Sequence, residues 1–129
     1  MDSAMRVRNV ALALLGAAIL VLKLEYHGPG GTVVHAYAGN VAVSFALYFA
    51  AINATERFRR PRLLAALGVL VAVEAFELSD GFGVMANVVD PVDLWANAVG
   101  IALAVAVDVL TARVLPRRPR EASTDPQAR

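Results

Sequence analysis

The chain contains no cysteine, which excludes disulfides, thiol catalysis and Cys-ligated zinc or iron–sulfur centres. It has only two histidines, His27 and His35, with no second helical histidine to complete a haem site. No nucleophile motif surrounds its serines: Ser44 falls on the opposite side of a helical stretch from His35, and Ser79 lacks a recognised context. Internal repeats are absent as well. The polar positions of the first half do not echo those of the second, as a transporter of inverted halves requires.

Two segments lack basic charge. Glu25–Gly31 and Asp80–Asp90 hold neither arginine nor lysine, and that gap organises everything else. What fills the chain is apolar: 58% of its 129 residues are hydrophobic, against about 45–50% in soluble domains even when glycine is counted. Four stretches, Val7–Leu24, Thr32–Asn53, Leu63–Ser79 and Pro91–Arg113, each approach the roughly 17–25 residues a helix needs to cross a bilayer. They predict an all-α, integral membrane four-helix bundle forming one domain over residues 1–115, with no room for a soluble catalytic module.

Arg6 and Arg8 stand at the start of the first stretch. Arg57, Arg59, Arg60 and Arg62 separate the second from the third, Arg113 ends the fourth, and Arg117, Arg118 and Arg120 follow it. Three basic segments on one side place both termini in the cytoplasm by the positive-inside rule, a multi-pass N-in/C-in topology in the inner (plasma) membrane. Anionic headgroups suit these clusters better than nucleic acid does, because each borders a span and none is interleaved with aromatics. Residues 116–129, rich in proline and charge, read as a disordered cytoplasmic tail. Arg6 and Arg8 before Val10–Leu22 resemble a signal peptide, but no A-x-A-like site follows, so the helix reads as an uncleaved anchor.

Local signals set the helix ends. Gly28-Pro29-Gly30-Gly31 is a tight turn, after which Thr32 is a candidate cap. Pro61 suits the first position of the third helix, and Gly81 and Gly83 stop it. Asp90-Pro91-Val92-Asp93 combines a capping acid, a proline at N1 and an acid at N3. Tyr26, Tyr37, Phe76, Phe82 and Trp95 predict an outer aromatic belt, and Tyr48, Phe49 and Phe58 an inner one. The apolar connection Gly81–Val89 is expected to lie over the mouth of the bundle.

The polar residues carry the functional reading. A carboxylate at bilayer depth costs roughly 2.5–3.5 kcal/mol on insertion scales, so each needs a partner or a use. Glu74 and Glu77 lie about 60° apart on one helix face. Asp93, Asn97 and Gly100 share a face with Ala96 and Ala104, and His35 heads a small-residue stripe through Ala38, Gly39, Ala42 and Ala46. Small residues let helix backbones approach closely. With the topology above, His35, Glu74, Glu77, Asp93 and Asn97 all fall in the outer half of the bundle, predicting one polar pocket open to the outside.

Each residue also has a plainer reading. Asp90 and Asp93 cap the fourth helix and complement its dipole, Glu77 is close enough to the interface to be solvated, and His35 and Asn97 serve as hydrogen-bonded packing. Asp108, with Arg113 a turn and a residue later, reads as a solvated interfacial acid. Glu74 lies deepest in the bilayer, with no cation nearby in its own helix. If Glu74 and Glu77 share a desolvated pocket, repulsion favours one proton held between them, with His35 as a charge partner.

Glu74-x-x-Glu77, a glycine-containing connection, and then Asp90-x-x-Asp93-x-x-x-Asn97-x-x-Gly100 resemble the hallmark of VanZ-like membrane proteins. His35 followed by Tyr37 and Gly39 is similar to the family's histidine at the start of its second helix. The resemblance runs from Thr32 to about Asp108. Two departures stand out: Glu77 replaces the usual glutamine, and no arginine lies between Gly81 and Asp90, where Asn87 comes nearest. The resemblance implies a small prokaryotic membrane protein of the cell envelope, the namesake being linked to low-level glycopeptide resistance. It implies no reaction.

The leading expectation is a non-enzymatic envelope protein in which His35, Glu74, Glu77, Asp90, Asp93 and Asn97 bind a lipid headgroup or a cation, without a cofactor or a resident metal. A second is a small subunit or assembly factor of a larger membrane complex, or a homo-oligomer, suggested by the small faces Ala13/Ala17 and Ala96/Gly100/Ala104. A third is an enzyme using Glu74 or Asp93 with His35 as acid and base on a lipid-linked substrate.

Overall fold

Runs of leucine, valine and alanine without internal proline favour helices, and prolines and glycines sit where those runs end. The structure, a computed structural model, describes residues 3–79 and 90–114. Helix α1 spans Ser3–Leu22 and passes into one 3-10 turn, Lys23–Glu25. Helix α2 spans Gly31–Thr55, α3 Pro61–Leu78 and α4 Pro91–Val114. All secondary structure among the described residues is helical.

Three of these helices, α1 with its 3-10 turn, α2 and α4, are long and apolar enough to cross a membrane. The third is shorter, 18 residues or about 27 Å at 1.5 Å per residue, and it carries Arg62, Glu74 and Glu77. The expectation of four spans is therefore supported for three.

Several ends differ from the sequence reading. Helix α1 begins at Ser3, so Arg6 and Arg8 lie within it rather than before it. Gly30, at φ 76°, takes the N-cap position of α2 and supplies the left-handed conformation that a side chain would resist. Thr32 is thus inside the first turn and caps nothing. Pro61 and Pro91 start α3 and α4 as expected. Ser79 ends α3, its N–H donating to the Ala75 carbonyl at 3.0 Å. The connection containing Gly81, Phe82 and Gly83, and the tail 116–129, lie outside the described residues.

Helix α2 is the centre: α1, α3 and α4 all pack against it, and α3 also packs against α4. Tyr48, Phe49, Ile52, Ala65 and Ala104 form the main core, continued by Val69, Val73 and Ile101. Phe49 meets Tyr48 edge-on at 5.2 Å and Phe45 at 5.0 Å, contacts worth about 0.5–1.5 kcal/mol each beyond their area. Tyr48 and Phe49 are therefore core residues, not members of an interfacial belt. Trp95, 74% exposed, does face outward.

Small residues set the helix spacing. A Cβ at Gly16 would stand 2.9 Å from the Ala42 carbonyl, and one at Gly100 would stand 2.5 Å from the Val41 carbonyl. Outside these seams the helices show lipid-like surfaces, with Leu14, Val21, Leu67, Val71 and Leu110 among the exposed side chains. Exposed apolar area on this scale marks a surface meant for something other than water.

Candidate functional site

The antiparallel path brings the starts of α1 and α3 and the ends of α2 and α4 to one pole, rich in arginine. The other pole gathers the remaining helix ends and most of the carboxylates. We call them the basic and acidic ends.

At the acidic end, Pro91 at the first position of α4 leaves Asp90 to cap it. The Asp90 carboxylate accepts the Val92 N–H at 2.9 Å, and its carbonyl accepts the Asp93 N–H at 2.9 Å. The other carboxylate oxygen lies 3.4 Å from the donating Tyr37 hydroxyl on α2, a long and weak contact. Asp93 stands in the field of Asp90 and of the Lys23 ammonium, with the Asn40 side chain in hydrogen-bonding reach. Lys23 itself donates to the His35 carbonyl at 3.1 Å. Five side chains from three elements thus lie at this pole: Asp90 and Asp93, Tyr37 and Asn40, and Lys23.

One turn deeper on α4, Asn97 is 2% exposed and its Oδ1 accepts the Ser44 hydroxyl at 2.9 Å. Its Nδ2 has no hydrogen-bond partner among the described residues. A buried donor left so costs about 1–3 kcal/mol, which sets Asn97 apart from ordinary packing.

The other candidates are placed differently. The His35 ring is exposed, and its Nε2 lies 2.8 Å from the Tyr26 carbonyl. A carbonyl only accepts, so Nε2 carries the proton and the ring is turned to the α1–α2 connection. His27 uses its Nδ1 instead, donating to the Glu25 carbonyl at 2.6 Å. Glu74 and Glu77 form their own electrostatic pair on α3. Glu77, 8% exposed, is the more enclosed of the two, and Glu74 is half-buried. The reason is periodic: Ala65, Val69, Val73 and Glu77 are the buried positions of α3, each four residues from the last, and so Glu77 continues the core stripe. Among the described residues no three His, Asp or Glu side chains gather as a metal-holding cluster.

The basic end holds what sequence reading missed. Asp108, expected to be solvated, is 2% exposed. Its Oδ1 accepts from Arg8 at 2.5 Å, and its Oδ2 accepts from Arg62 at 2.6 Å and from the Tyr48 hydroxyl at 3.2 Å. Arg8 also donates to Thr111 Oγ1 at 2.9 Å and to Asn9 Oδ1 at 2.6 Å. Asn9 passes the chain on, its Nδ2 donating to Asn53 Oδ1 at 2.8 Å. One network thus ties all four helices. A signal for it existed: Asp108 lies eleven residues after Asn97, about 20° away on the same face of α4.

Comparison with known proteins finds no family model, no curated protein and no solved structure that matches this chain. The arrangement itself therefore carries the argument. The basic end is a buried, hydrogen-bonded clasp, whereas the acidic end presents carboxylates, an ammonium and amides in a more open arrangement.

Proposed function

We propose that this chain is a multi-pass plasma-membrane protein, VanZ-like in architecture, that binds the polar headgroup of a lipid at its acidic end. Both termini lie in the cytoplasm, so the acidic end faces outward. The observation that supports the reading is the meeting of Asp90, Asp93, Tyr37, Asn40 and Lys23 at one pole, beside the orphaned amide of Asn97. A headgroup with an ammonium suits two carboxylates that flank each other, and its oxygen acceptors suit Lys23. A bare metal ion suits the site less, because among the described residues no third His, Asp or Glu joins these two carboxylates as a metal-holding group.

The basic clusters support the orientation. Because the chain lacks cysteine, single cysteines report sidedness cleanly. His27→Cys in intact cells should react with an impermeant maleimide and Arg60→Cys should not; the reverse pattern would invert the topology. For the binding reading, native mass spectrometry of the protein in mild detergent should show a lipid adduct that Asp93→Asn loses. A protein partner retained in place of lipid would point instead to a subunit of a larger complex.

A further inference from the structure

Resting on the headgroup reading, we propose that the lipid is a zwitterionic aminophospholipid, with one acyl chain lying in an apolar groove that runs along α2 to Lys23. The groove follows from the packing. Helices α1 and α4 both rest on α2 but, among the described residues, do not pack against each other. Gly16 on α1, set close against α2, and Ala38 and Ala42 on α2 form its floor, and Leu15, Ile19 and Leu103 form its rims. The result is an open trough of about 320 Å³ with no polar lining.

Its two ends differ. Toward the basic end, the Arg8 side chain bridges the gap from α1 to Asp108 and Thr111 on α4. Toward the acidic end stands Lys23, the only lysine of the chain. Leu15, Ile19 and Lys23 follow one another at four-residue steps, so they share a stripe of α1 and its 3-10 turn about 12 Å long. Lys23 reaches across Gly39, next to Ala38 of the groove, close enough that a Cβ at Gly39 would collide with its ammonium. One of the three Lys23 donors goes to the His35 carbonyl, which leaves others for an incoming oxygen. Asp93 lies within its field, with Asp90 close to Asp93 in turn.

Charge complementarity selects the occupant. An apolar channel leading to one cation and then to two carboxylates matches a chain, a phosphate and an ammonium in that order. An anionic headgroup without an amine would meet Asp90 and Asp93 unpaired. Inside a bilayer the groove gains little from hydrophobicity, since lipid is as apolar as its walls; it contributes shape, and the headgroup contributes the choice.

The test uses the full chain in nanodiscs of equimolar phosphatidylethanolamine and phosphatidylglycerol with identical acyl chains, released for native mass spectrometry. Wild type should retain one phosphatidylethanolamine in about tenfold preference over phosphatidylglycerol, the size of one charge-assisted hydrogen bond. Ala38→Phe, which fills the trough, should reduce retention of both lipids by about the same factor, and Lys23→Met should weaken retention likewise. Ile19→Trp fills the groove from its exposed rim and substitutes if Ala38→Phe fails to fold. Equal retention of the two lipids by wild type would overturn the zwitterion assignment. Unchanged retention in the filled variant, with loss in Asp93→Asn, would overturn the groove and leave the headgroup reading standing. Unchanged retention in both would overturn the two together.

Discussion

At the basic end one carboxylate meets two guanidiniums and a phenol; at the acidic end Asp93 stands in the field of a second carboxylate and one ammonium. Asp108 is buried with short contacts to three different helices, whereas Asp93 is only half-buried and its nearest charges are a repelling Asp90 and a single Lys23. The contrast separates two uses of charge in an apolar chain. A satisfied buried network joins helices that lipid gives little reason to associate, and an unbalanced, partly open one is available to a ligand. If this is right, substitutions at the two ends should fail in different ways.

The largest effect belongs to Asp108→Ala. It strands Arg8, whose side chain is 11% exposed, and should cost about 3–5 kcal/mol of unfolding free energy. Denaturant titration in detergent measures it. A loss within the noise of the titration would show that Arg8 escapes to the headgroups and that the clasp holds nothing. Next comes Asn9→Ala, which removes the link to Asn53 and should cost about 1–3 kcal/mol in the same titration.

The Ser44–Asn97 pair sharpens the comparison from the other side. Ser44→Ala or Asn97→Leu alone should destabilise by about 1–3 kcal/mol, because each leaves a buried polar partner, while the double replacement should come close to neutral. If the double variant folds well yet retains no lipid, Asn97 is kept for binding. Smallest is Arg6→Ala. Its pairing with Glu56 involves a side chain 58% exposed, and removing it should change stability by no more than about 1 kcal/mol.

Legibility followed the same division. Pro61 and Pro91 marked helix starts because proline acts locally, and the Asp90 cap was readable for the same reason. Polar residues at the acidic end drew notice because they stand against an apolar background. Asp108 was misjudged because Arg113, its neighbour in sequence, hid Arg8 and Arg62, its neighbours in space. Tyr48 and Phe49 looked interfacial by position along α2, yet depth along the axis says nothing about which way a side chain turns; packing against Ala65 and Ala104 decided that. His35 shared the depth of the acids but not their direction, and only the backbone of the α1–α2 connection reveals its partner.

The most direct test of the account takes one variant, Asp93→Asn, through two readouts on the same preparation. Thermal unfolding in detergent and lipid retention by native mass spectrometry report the two uses of charge separately. Asp93→Asn should keep its stability within about 0.5 kcal/mol of wild type, as for a substitution outside the packed core, and should lose the retained lipid. Full lipid retention, or a destabilisation matching that of Asp108→Ala, would contradict it.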